Sequence, residues 1–214
     1  MKYKALICDL DGTLLNTLED LMDSVNFGLE NHGMKKITLE QTRRFVGNGV
    51  AKLVERAVEK GTSKEEEAEI LKDFRSYYDE HSRDKTRPYE GVVEMLEQVK
   101  AQGMKLAIVS NKIDPAVNEL AKVYFPGLID VAIGETPDVP KKPAPDMLYK
   151  ALRQLGIEKE EAVFIGDSDV DVATGLNSGM DMVTVLWGFR DREELEKSGA
   201  KWFIEKPEEL FKWI

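Results

Sequence analysis

Two acidic clusters stand out in this chain. Asp9-Leu10-Asp11-Gly12-Thr13 follows the apolar run Ala5 to Cys8, and Gly166-Asp167-Ser168-Asp169-Val170-Asp171 follows Ala162 to Ile165. Side chains two apart on an extended segment share a side. Asp9 and Asp11 therefore sit together where a strand gives way to a glycine turn. That is the carboxyl end at which open α/β sheets bind ligands. Paired carboxylates repel one another unless a cation or a shared proton relieves them. Asp-x-Asp alone could equally be a polar strand end that caps the next turn. A second cluster at an equivalent strand end changes the balance, because so many acids exceed what turn chemistry needs. Hard oxygen donors of this kind suit Mg²⁺. Neither cluster contains His or Cys, which argues against zinc.

Two weaker signals lie between the clusters. Ser110-Asn111 follows the run Leu106 to Val109, where a hydroxyl and an amide could bind phosphate oxygens or simply cap a helix. Lys141-Lys142-Pro143 precedes a helical pattern expected to begin near Pro143. A lysine there could screen phosphate and carboxylate charge, or be an ordinary surface lysine.

The elements that would position these groups can be read from the hydrophobic pattern. Ala5 to Cys8, Leu106 to Val109, Val131 to Ile133, Ala162 to Ile165 and Met182 to Leu186 are short, nearly continuous apolar runs, as parallel strands covered on both faces should be. Val92, Met95, Leu96 and Val99 have helical spacing, as do Met147, Leu148, Ala151, Leu152 and Leu155. Gly103, Gly156 and Gly179 close such stretches before the next strand. The pattern predicts an α/β fold with a doubly wound, mostly parallel sheet. Between the first strand and Pro88 no convincing strand is found. Leu18 to Leu29, Leu39 to Val46, Val50 to Val58 and Ile70 to Tyr78 read instead as helices of a small bundle, with Ser63 and Glu66 as a capping box for the last. A closing helix is expected over Pro207 to Ile214. The expected division is a core of 1–14 and 86–214 with an all-helical cap, 15–85, inserted after the first strand.

Composition narrows the function. Forty acidic against thirty basic residues give a net charge of -10. Such a surface repels phosphate backbones, so neither a nucleic acid nor an anionic membrane is an expected partner. The single cysteine, Cys8, excludes an internal disulfide and fits a reducing compartment. The longest apolar runs are strand-sized, and the start shows no signal-peptide core, so the expected location is cytoplasmic.

Together, the four segments resemble the haloacid dehalogenase superfamily, whose phosphatases carry Asp-x-Asp-Gly-Thr, then Ser/Thr, then Lys-Pro, then Gly-Asp-x-x-x-Asp in this order. Phe45-Val46-Gly47-Asn48-Gly49, Leu53-Val54-Glu55-Arg56-Ala57 and Asn111-Lys112 narrow the likeness to phosphoglycolate phosphatases. The resemblance implies Mg²⁺ as cofactor and an aspartyl-phosphate intermediate. It makes Asp9 the nucleophile and Asp11 the acid and base. Lys142 would be the charge-screening lysine. Asp9, Asp167, Asp171 and the Asp11 carbonyl would serve the metal, Asp171 through water or by orienting other ligands. Gly12, Thr13, Ser110 and Asn111 would hold the phosphate. Arg43 or Arg44 and the Gly47-Asn48-Gly49 turn would select a small phosphorylated metabolite, with 2-phosphoglycolate first. Thr13 to Leu18 and Arg83 to Pro88 would be the hinges of the cap. The assembly would be a monomer or homodimer. Asn16 stands where many relatives carry an acid, which leaves fine substrate preference open. Rival readings are a β-phosphoglucomutase-like phosphomutase and a phospho-accepting switch domain.

Overall fold

The computed structural model describes residues 2–214. Six strands form one sheet: β1 (Ala5–Cys8), β4 (Lys105–Ile113), β5 (Val131–Glu135), β6 (Ala162–Gly166), β7 (Asp181–Val185) and β8 (Phe203–Ile204). Their spatial order is β5-β4-β1-β6-β7-β8, with every neighbouring pair parallel. The five apolar runs are all strands; Ala5–Cys8 matches at both ends, and the others are shifted at one or both ends by one to four residues. β8 has no sequence signal of its own beyond Phe203-Ile204. It forms because Thr184 and Leu186 donate to the carbonyls of Trp202 and Ile204, at 2.7 and 3.0 Å.

Strand alternation divides the apolar side chains between two layers. Leu6 and Cys8, Leu106 and Ile108, and Val163 and Ile165 face one layer, with the apolar stripes of α5 (Val92–Ala101) and α6 (Asp114–Tyr124). Ala5 and Ile7, Ala107 and Val109, and Ala162 and Phe164 face the other, with Met147, Leu148, Ala151, Leu152 and Leu155 of α7 (Asp146–Leu155). A sheet buried on both faces is why these runs lack polar alternation. α7 starts at Asp146, later than the sequence pattern suggested, and ends at Gly156 in the left-handed conformation. Two further helices, α8 (Asp169–Ser178) and α9 (Arg192–Lys197), complete the order. Pro207–Lys212 is a 3₁₀ turn rather than a full closing helix.

The chain divides into two compact units. One runs to Leu15 and resumes over Pro88–Ile214; the other is Asn16–Arg87. The chain crosses between them at β2 (Leu15–Asn16) and β3 (Arg87–Pro88), which pair as a two-stranded ribbon. The second unit contains α1 (Leu18–Asn31), α2 (Leu39–Phe45), α3 (Val50–Ala57) and α4 (Lys64–His81). Leu21, Val25 and Leu29 pack with Leu53, Val54, Ile70, Phe74 and Tyr78 as its core. Ser63 caps α4 through its hydroxyl, which accepts from the Glu66 N–H at 3.1 Å. Asp20, 2% exposed, accepts from the backbone N–H groups of Lys85 and Thr86. A carboxylate near the N-terminus of α1 thus fastens the returning chain to that helix. Among the described residues, no helix is long and apolar enough to cross a membrane.

Candidate active site

β1 lies between β4 and β6, with Cys8 opposite both Ile108 and Ile165. β1 and β6 therefore end nearly level, and β4 runs on past them to Ile113. Asp9 continues β1, its N–H donating to the Ile165 carbonyl at 2.9 Å. Asp167 and Asp171 follow β6. Asp171 lies in the first turn of α8, where Ser168 and Asp171 form a reciprocal capping box. The Asp171 Oδ2 accepts from the Ser168 hydroxyl at 2.6 Å and its N–H at 3.1 Å.

Asp9, Asp167 and Asp171 are buried, each with an oxygen within 4.8 Å of the others'. Lys142, its side chain 3% exposed, reaches across from the segment before α7. Its Nζ donates to Asp9 Oδ1 at 2.6 Å and to Asp171 Oδ1 at 2.7 Å. Lys141, one residue earlier, instead pairs with Glu135 at 3.0 Å and is 41% exposed. Asp167 is held by the Thr13 hydroxyl at 3.0 Å and the Phe189 N–H at 2.7 Å. Asp169 points away, to Arg190 at 3.2 Å.

Asp11 lies beyond this cluster. Both of its carboxylate oxygens face Lys112 Nζ at 3.1 Å, and the Lys112 side chain is 7% exposed. Ser110 is buried within β4 rather than beyond it, in the stretch where pairing to β5 shifts register between Val109 and Ile113. Its Oγ accepts from the Lys112 N–H at 3.2 Å, which leaves its own O–H to donate. The Asn111 amide donates to the Lys142 carbonyl at 2.9 Å, so Asn111 supports the lysine. Gly12 and Gly188 both pack closely on Asp167. A Cβ on Gly12 would stand 2.4 Å from Asp167 Oδ2, and one on Gly188 would stand 2.3 Å from Asp167 Cβ. Trp187 donates its indole N–H to the Thr13 carbonyl at 2.9 Å.

Arg43, Gly47, Asn48 and Gly49 belong to the helical unit. Arg43 lies on α2, 3.9 Å from Glu40. Gly47, Asn48 and Gly49 connect α2 to α3, all with positive φ (124°, 63° and 89°). Three such residues in succession explain the glycines. Arg56 Nη1 holds this connection by donating to the Phe45 carbonyl at 2.7 Å. Arg44 pairs with Glu40 at 2.9 Å and is 73% exposed.

A family description of haloacid dehalogenase-like hydrolases matches residues 6–185, which include Asp9, Asp11, Ser110, Lys112, Lys142, Asp167 and Asp171. The chain belongs to that family. This haloacid dehalogenase-like hydrolase is 30% identical over 210 residues to a phosphoglycolate phosphatase of Aquifex aeolicus, covering 98% of this chain and 95% of that one. It is 31% identical to a provisionally named pyrophosphatase of Caldanaerobacter subterraneus, covering 100% and 96% of the two chains. A crystal structure from Lactobacillus delbrueckii, provisionally named a phosphoglycolate phosphatase, superposes with a TM-score of 0.93 at 35% identity, covering 98% and 97%.

The donor set of the hydrolase fits a hard divalent cation. Of its three buried carboxylates, Asp9 and Asp171 share one buried ammonium, so their charge is only partly balanced. All the side-chain donors are oxygens, which suits Mg²⁺ and not zinc. The same imbalance displaces the carboxyls' own titration. Burial and the nearby Asp171 charge push Asp167 up to about 7. Burial and Asp171 also raise Asp9 well above the usual carboxyl range, against the pull of Lys142. The two carboxylates outweigh the cost of burying the Lys142 ammonium and hold it above the usual lysine value. Burial raises the Cys8 thiol, in keeping with a core role.

Sequence reasoning missed the parts that Lys112 and Ser168 play in this arrangement. Asn111-Lys112 was quoted only as a likeness, and its ion pair to Asp11 depends on β4 running past Ser110. Ser168 carried a usable signal, since Ser-x-x-Asp opening a helix is a capping pattern. Trp187-Gly188 follows the last strand expected from the sequence, a position that could line the pocket or simply pack; the approach of Gly188 to Asp167, 21 residues earlier, is not legible from spacing.

Proposed function

We propose that the protein is a Mg²⁺-dependent phosphatase that hydrolyses a small phosphomonoester through an aspartyl-phosphate, with 2-phosphoglycolate as the first candidate substrate. The observation that carries this reading is the Asp9–Lys142–Asp171 chain of contacts beside Asp167, all buried at adjoining strand ends. Asp9, Asp167 and Asp171, with the Asp11 carbonyl, would hold the ion. When bound, it supplies the positive charge that offsets the phosphate and the carboxylates.

In the first step an Asp9 oxygen attacks phosphorus, and the bond from phosphorus to the substrate's alcohol oxygen breaks. Asp11 gives that oxygen a proton as it leaves. A water then attacks phosphorus, Asp11 takes up its proton, and Asp9 is released with inorganic phosphate. Lys142 fixes the Asp9 rotamer and screens its charge. The Ser110 O–H donates to a phosphate oxygen. Phosphoryl transfer depends chiefly on such positioning and charge stabilisation. Substrate choice falls, in this proposal, to Arg43 and the Gly47–Gly49 connection of the helical unit.

Phosphate release measured across a panel of phosphomonoesters with Mg²⁺ tests the reading. Pyrophosphate belongs in that panel because of the Caldanaerobacter relative. The highest kcat/KM should fall on a small carboxylated phosphomonoester, and EDTA should abolish turnover. Turnover unaffected by EDTA, or none on any ester, would refute the proposal.

A further inference from the structure

We propose that Lys112, whose ammonium faces both carboxylate oxygens of Asp11, is a positioning residue that orients this proton donor toward the departing alcohol. The proposal rests on the reading of Asp11 as the acid. Several observations carry it. The Lys112 side chain is 7% exposed, so its stem is confined and the ammonium is delivered to one place. The two contacts are equal at 3.1 Å, so the ammonium straddles the carboxylate and restrains its rotation as well as its position. The Asp11 side chain is itself 19% exposed and lies three residues past the end of β1. The Lys112 N–H also donates to Ser110 Oγ at 3.2 Å. One residue therefore links the proton donor to the hydroxyl assigned to the phosphate. β4 makes this possible by running on to Ile113 while its pairing to β5 shifts register. Lys141 shows the contrast. It is a lysine near the same strand ends, but it is 41% exposed and paired with Glu135.

An orienting role differs from simple charge balance in what it does to different leaving groups. An alkyl alcohol needs a proton to depart, whereas p-nitrophenolate does not. The ratio of kcat/KM for glycerol 3-phosphate to that for p-nitrophenyl phosphate therefore reports proton donation. kcat/KM covers the steps through alcohol departure. Glycerol 3-phosphate has no carboxylate, so lost recognition of a substrate carboxylate does not enter. The ratio is also indifferent to the fraction of enzyme folded, because both rates scale alike.

Asp11→Asn should lower the rate on glycerol 3-phosphate by ~10²–10⁴-fold and on the aryl ester by less than about tenfold. Lys112→Met should lower the first by ~10–100-fold, as expected for a misplaced catalytic group, and the second by less than about threefold. Lys112→Arg, which keeps a cation before Asp11, should keep the wild-type ratio. If Lys112→Met yields no folded protein, Lys112→Gln supplies the same ratio. An unchanged ratio in the Lys112 variants, beside a selective loss in Asp11→Asn, overturns the positioning role alone. An even loss in Asp11→Asn overturns the acid reading and the positioning role with it.

Discussion

Lys142 gives the sharpest test of how the site is held together. Its ammonium is buried between Asp9 and Asp171 at 2.6 and 2.7 Å. At an effective dielectric constant of ~20, each contact contributes roughly 6 kcal/mol of gross attraction. Most of that is offset by the cost of taking three charged groups out of water. The net is better judged from what removal leaves behind, which in Lys142→Met is Asp9 and Asp171 buried without the ammonium they share. Breaking a buried pair on one side costs about 3–5 kcal/mol. In a chain of this size that lowers the melting temperature by roughly 6–20 °C. Lys141→Met is the matched control, since its partner is exposed and the expected change is within about 0.5 kcal/mol. The assay is thermal and urea unfolding of both variants in EDTA and in excess Mg²⁺. Mg²⁺ should stabilise Lys142→Met more than wild type, because the ion then replaces the ammonium that Asp9 and Asp171 have lost. Equal losses in the two variants, or a loss under about 1 kcal/mol in Lys142→Met, would refute the claim that this lysine neutralises the cluster.

Other consequences follow from the same geometry. Gly188→Ala would drive a methyl group to 2.3 Å from Asp167 Cβ, so it should weaken Mg²⁺ binding by ~10–100-fold, measured by calorimetry; unchanged affinity would contradict the close fit. Asp20→Ala leaves the N–H groups of Lys85 and Thr86 without their acceptor and should cost about 2–4 kcal/mol in urea unfolding, with Asp23→Ala near neutral as the comparison. Asp167 stands at about 7 in the folded chain against an ordinary 3.8, so the metal-free native state binds more protons than the unfolded one. Metal-free stability from this group is therefore greatest below pH ~4 and is lost as pH rises through ~7. The gain in melting temperature on adding Mg²⁺ should grow over the same window, and a gain that shrinks toward alkaline pH would contradict the assignment.

The parts of the fold that were legible are those in which one residue type answers one local demand. Ala5 to Cys8 and Ala162 to Ile165 read as strands because both faces are buried, so no polar residue interrupts them. Leu21, Val25 and Leu29 read as a helix because α1 buries a single stripe. What could not be read depends on partners distant in sequence. β8 needs the β7 edge to exist. The late start of α7 at Asp146 leaves Lys142 in the loop from which it reaches Asp9 and Asp171. Ser110 and Asn111 looked like residues beyond a strand end, but β4 continues through them. Asn111 also has a partner that spacing does not reveal, since its amide donates to the Lys142 carbonyl at 2.9 Å. The clustering of Asp9 with Asp167 and Asp171 was legible as chemistry, since so many acids at strand ends call for a cation. That Lys142 and not Lys141 would reach them came from the family likeness and not from periodicity.

In the proposed mechanism Asp9 itself accepts the phosphoryl group. Enzyme turning over 2-phosphoglycolate with Mg²⁺ can be quenched and treated with borohydride, which reduces an acyl phosphate to an alcohol, and then digested for peptide mass spectrometry. The expected product is homoserine at position 9, dependent on both substrate and Mg²⁺ and absent from Asp9→Asn. Full turnover with position 9 unmodified, or with the reduced residue elsewhere in the chain, would contradict it.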